Sequence, residues 1–81
     1  MERELRKDVL KVLRSGHSAI NIYSAISILM YKHISKIEDL KPLDFESSEY
    51  KTLKNDIERI IINCRWNTKL ILNQLDLIRV V

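Results

Sequence analysis

The chain has 81 residues, 46% of them hydrophobic and 31% charged, with a formal net charge of +3. That balance is too apolar for a disordered tail and too charged for a membrane protein, and the length suits one helical domain over residues 1–81. The single Cys64 rules out an intrachain disulfide framework and offers no four-ligand zinc pattern.

The opening residues, MERELRKD, lack the apolar core of a secretory signal, and the apolar stretch at residues 20–30 is too short to span a bilayer. A cytoplasmic protein with no membrane role is the expectation. Leu5, Val9, Val12 and Leu13 recur three or four residues apart, and charged side chains occupy much of the remaining circumference, which predicts an amphipathic first helix of about three turns. Gly16 is the only glycine. Following Ser15, it can take the left-handed conformation that closes a helix, after which Ser18 can cap the next one.

The second predicted helix covers residues 19–37. Ile22, Tyr23, Ile26, Leu29, Met30, Ile34 and Ile37 trace its buried stripe, and Ala25 and Ile28 widen that stripe. So broad an apolar surface calls for burial on most of the helix, more than a chain this short readily provides. It therefore points to a core completed by another copy or a partner. Pro42 cannot sit inside a helix and biases Lys41 away from helical dihedrals, so residues 39–46 form the longest connection.

A third helix is predicted to begin near Ser47 or Ser48, with Glu49 in its first turn. Its buried face comprises Tyr50, Leu53, Ile57, Ile60, Ile61 and Cys64. Thr68, Ile71, Leu75 and Ile78 continue nearly the same phase, which allows one long helix to the C-terminus. The preferred reading places a turn at Asn67 and Thr68, with residues 70–80 packing back as a shorter fourth helix. A hairpin of residues 60–66 and 70–80 is the third reading, weakened by poor alternation. The expected fold class is all-α: a compact three- or four-helix domain, with dimerisation as the means of completing it.

Basic residues outnumber acidic ones by eight to five in residues 1–42, and the two are equal at six each in residues 43–81. Arg3, Lys7, Lys11 and Arg14 recur at helical spacing, so they can share a face that contacts phosphate or an acidic protein. Glu2, Glu4 and Asp8 weaken that field, and no interleaved aromatic series accompanies it. The helix, Ser-Gly turn, helix order invites comparison with a DNA-binding helix-turn-helix. His17, Ser18 and Asn21 would stand where base edges are read, but the helix then turns apolar, which suits protein packing better.

As a nucleophile Cys64 would need a nearby base such as His17 or His33, and no spacing requires them to meet. Cys64 reads as a core thiol, His33 as a residue of the apolar side of the second helix, and His17 as part of the turn. No glycine-rich phosphate loop, metal-ligand spacing or cofactor motif is present. The expectation is a non-enzymatic adaptor or regulator that binds another protein, with self-association favoured. Tyr23, Met30, Ile34 and Trp66 are its candidate interface anchors, because aromatic and sulfur side chains supply large contact areas. A nucleic-acid-associated regulator using Arg3, Lys7, Lys11 and Arg14 is the alternative.

Overall fold

A computed structural model describes residues 1–35 and 43–78. The amphipathic spacing produces four helices in order: α1 (Arg3–Leu13), α2 (Ala19–Ser35), α3 (Ser48–Asn63) and α4 (Thr68–Leu75). The expected extension of the second helix to Ile37 and the break at Pro42 lie outside the described residues. The fourth helix, expected over residues 70–80 after a turn at Asn67 and Thr68, instead covers Thr68–Leu75: the turn falls at residues 64–66, Asn67 caps the helix, and Asp76 and Leu77 already leave it.

Each helix start answers the same need, because the first amide groups of a helix have no partner within it. Glu2 supplies both carboxylate oxygens to α1: Oε1 accepts from Glu4 N–H at 2.9 Å and Oε2 from Leu5 N–H at 3.1 Å. These backbone bonds, with Glu4 the larger contributor, hold the Glu2 carboxyl below its ordinary pKa. Ser47 caps α3 by accepting from Tyr50 N–H at 3.2 Å, and Asn67 caps α4 by accepting from Leu70 N–H at 3.0 Å. The expected Ser18 side-chain cap of α2 does not form. The Ser18 carbonyl instead accepts the Ile22 N–H at 3.0 Å. Gly16 takes the expected left-handed conformation, with φ +77°, and ends the run begun by α1.

Neither the continuous helix nor the hairpin forms in the C-terminal half. Arg65 and Trp66 adopt φ of 51° and 62°, which reverses the chain after α3 and lets α4 pack back on α3 and α1. α2 packs against both α1 and α3. The aromatic contacts give the direction of α3: Tyr31 near the end of α2 meets Tyr50 at the start of α3, and Tyr23 near the start of α2 meets Trp66 just past the end of α3. The two helices therefore run antiparallel.

Val9, Ile26, Ile57, Ile61 and Ile71 are fully buried, joined by Leu5, Ile22, Met30, Leu53, Leu72 and Leu75. Side chains from all four helices share this one cluster. A Cα radius of gyration of 11.9 Å is close to the roughly 12 Å expected of a compact fold of this length. Among the described residues Ser27 is the one buried polar residue, and its hydroxyl donates to the Tyr23 carbonyl at 2.6 Å, so its polarity is satisfied. At the far edge the Met1 ammonium lies 2.7 Å and Arg6 3.7 Å from the two carboxylate oxygens of Asp76, fastening α1 to the end of α4.

Two outcomes follow from this packing. Ile26→Ala should cost roughly 2–5 kcal/mol in chemical denaturation, because Ile26 is fully buried and a cavity remains; a cost under about 1 kcal/mol would show that the site collapses freely. Glu2, with its folded pKa depressed below 4.5, contributes stability that is present above that value and is lost as pH falls through the folded pKa. The stability gap between wild type and Glu2→Gln should therefore be larger at about pH 7 than at about pH 3. An equal gap at both would remove the charged cap as its source.

Candidate functional site

Four expected interface anchors separate into two classes. Tyr23 and Met30 lie in the core, 8% and 3% exposed, because the two helices flanking α2 cover the stripe on which both stand. Ile34 is half-buried and packs against the edge of that core. Only Trp66 presents a large surface, 42% exposed, although its ring stacks on Tyr23 with centroids 5.6 Å apart and planes inclined by 24°. The stack fixes the indole in place while leaving much of it in solvent.

Trp66 does not stand alone at this corner. Ile62, in the last turn of α3, is 52% exposed, and Leu70, in the first turn of α4, is 50% exposed. Ile20, one turn before Tyr23 on α2, is 71% exposed. Local backbone bonds hold the corner: Arg65 N–H donates to the Ile62 carbonyl at 3.0 Å, Trp66 N–H to Ile61 at 3.2 Å and Asn67 N–H to Cys64 at 3.0 Å. Arg65 and Lys69 are exposed beside these apolar side chains, and neither belongs to an ion pair among the described residues.

Periodicity alone does not mark Ile20 and Leu70 as surface residues, but it does mark Ile62. Ile60, Ile61 and Ile62 are consecutive, and three consecutive helical positions sweep about 200° of a helix, more than one buried face accommodates. With Ile61 fully buried, Ile62 is turned outward.

The second candidate surface lies on α1. Lys7, Lys11 and Arg14 surround Leu10 in an open, shallow depression. Arg3 is exposed on the same helix but does not line that depression. Lys7 lies 3.8 Å from Glu4, so one cation of the group is partly offset.

The remaining sequence candidates are dispersed. His17 is exposed in the turn after α1. His33 is exposed as well, correcting its expected placement on the apolar side: it stands in the last turn of α2 with its side chain in solvent, close enough to Glu2 to help lower that carboxyl's pKa. Cys64 caps α3, its N–H donating to the Ile60 carbonyl at 2.9 Å, and its side chain is only half-buried at the margin of the core. Among the described residues no three His, Cys, Asp or Glu side chains gather to hold a metal ion, and no helix is long and apolar enough to cross a membrane. At the opposite end from Trp66, Tyr50 meets Tyr31 and Phe45 edge to face at 5.6 and 5.3 Å. Burial there raises the Tyr50 phenol pKa.

Comparison with known proteins yields no matching family, no significantly similar curated protein and no significantly similar solved structure.

The left-handed pair at the corner makes a local prediction. An L-residue with a side chain costs about 1–2 kcal/mol in this conformation, while glycine there costs roughly 0.5–1 kcal/mol in chain entropy. Arg65→Gly should therefore leave the fold intact and raise its unfolding free energy in chemical denaturation slightly, by less than about 1 kcal/mol. A clear loss of stability would mean that the Arg65 side chain holds the turn.

Proposed function

We propose that this chain is a small helical adaptor or regulator that docks on another protein through the α3–α4 corner. The observation that supports the reading is the outward display of Ile62, Trp66 and Leu70 around a turn whose backbone conformation disfavours the residues it carries. Aliphatic and aromatic side chains held rigidly in solvent lose little freedom when a partner covers them, which is how interface anchors contribute affinity. Action would be steric or conformational, and a cytoplasmic setting fits it.

Peptides selected from a display library on the wild-type chain test the docking face. Those that bind should lose about tenfold or more in affinity for an Ile62→Asp/Leu70→Asp variant that keeps wild-type helical content. Equal binding to both would remove the corner from the docking surface. Sedimentation equilibrium across concentration decides whether a second copy is a partner.

Lys7, Lys11 and Arg14 around Leu10 support a second reading, contact with nucleic-acid phosphate. In that case oligonucleotide affinity falls with added salt and with Lys7→Ala/Lys11→Ala, irrespective of base sequence.

A further inference from the structure

The corner differs from the rest of the surface in charge as well as in apolar exposure. No Asp or Glu occurs in residues 59–75, which contain Arg59, Arg65 and Lys69 alongside the exposed Ile62, Trp66 and Leu70. Tyr23, on which Trp66 stacks, belongs to α2, and residues 9–37 hold no carboxylate either. Among the described residues, the segments that meet at the Trp66 ring therefore bring more cations than carboxylates. Glu58 stands one turn before Ile62 and lines the same depression, together with Arg59, so it is the one carboxylate at this face among the described residues; Asp76 lies past α4, where the Met1 ammonium and Arg6 engage it.

We infer that the α3–α4 corner accepts an acidic amphipathic protein segment, whose apolar side chains cover Ile62, Trp66 and Leu70 and whose carboxylates face Arg65 and Lys69. This rests on the docking reading above and names the partner's chemistry. A second copy fits less well, because each copy would bring Arg59, Arg65 and Lys69 against the single carboxylate of Glu58, leaving most of the cations opposite like charge. Nucleic acid would satisfy the cations but leave exposed aliphatic surface at Ile62 and Leu70 without a partner. A protein segment satisfies both. Asn63 and Asn73, exposed nearby, add neutral hydrogen-bonding groups suited to a peptide.

The test uses a displayed library of amphipathic peptides about four helical turns long, with fixed apolar positions and flanking positions randomised between Glu and Lys. It is selected separately on the wild-type chain and on an Arg65→Glu/Lys69→Glu variant shown to fold by circular dichroism. Trp66, the only tryptophan, reports binding by its fluorescence. Glu-rich peptides should be enriched on the wild type and Lys-rich peptides on the variant, with about a tenfold reversal of preference that weakens with salt. Binding lost in Ile62→Asp/Leu70→Asp but indifferent to flanking charge overturns the acidic partner while keeping the docking face. No enriched peptide, with Trp66 responding only to anionic vesicles or to a single-stranded oligonucleotide, overturns both. Self-association abolished by Ile62→Asp/Leu70→Asp also overturns the acidic partner, since a second copy would then occupy the corner.

Discussion

Burial of α2 is the constraint on which the other elements depend. Its sequence is apolar over more of its circumference than one neighbouring helix can cover, and each aliphatic side chain left in water forgoes about 1.5–3 kcal/mol. α1 and α3 cover it from two sides, and α4 then rests on both of them. Ile26 and Ser27, adjacent in sequence and both fully buried, show how much of the helix is enclosed. The Ser27 hydroxyl is satisfied within its own helix, so its burial leaves no unpaired polar group.

The two ends of the α2–α3 pair are finished differently. At one end Tyr31, Tyr50 and Phe45 form an edge-to-face cluster that seats the start of α3. At the other, the single Tyr23–Trp66 stack anchors the α3–α4 turn and leaves the indole partly open. The turn places two side-chain-bearing residues in left-handed backbone where glycine would be easier, so packing of α4 and the Trp66 stack must outweigh the local cost. A rigid, partly exposed aromatic is a consequence of that compromise. It is also the feature that makes this end suited to recognition.

Charge is distributed along the same lines. Asp76 is engaged by the Met1 ammonium and Arg6 at the α1–α4 edge, and Glu2 is engaged by amides at the start of α1. Those carboxylates are committed to fastening helix ends. Among the described residues, the surface around Trp66 carries Arg59, Arg65 and Lys69 against the single carboxylate of Glu58, giving the exposed apolar side chains there a mainly positive border.

The helical class, the turn at Gly16, the Ser47 cap and the core stripes of the helices were legible in the sequence, because they follow from local rules: side-chain periodicity, capping chemistry and the freedom of glycine at positive φ. Asn67 was legible as part of a turn, although the geometry of Arg65 and Trp66 was not, since nothing in those residue types favours the left-handed region. Tyr23, Met30 and Trp66 looked alike as large candidate anchors. Only tertiary packing separated them, covering the first two with neighbouring helices and leaving the third at a corner. The sequence by itself determined which residues could be apolar neighbours along each helix. Which of them remained in solvent was decided by the number and direction of the helices packed around α2, a property of the assembled bundle and of no single segment.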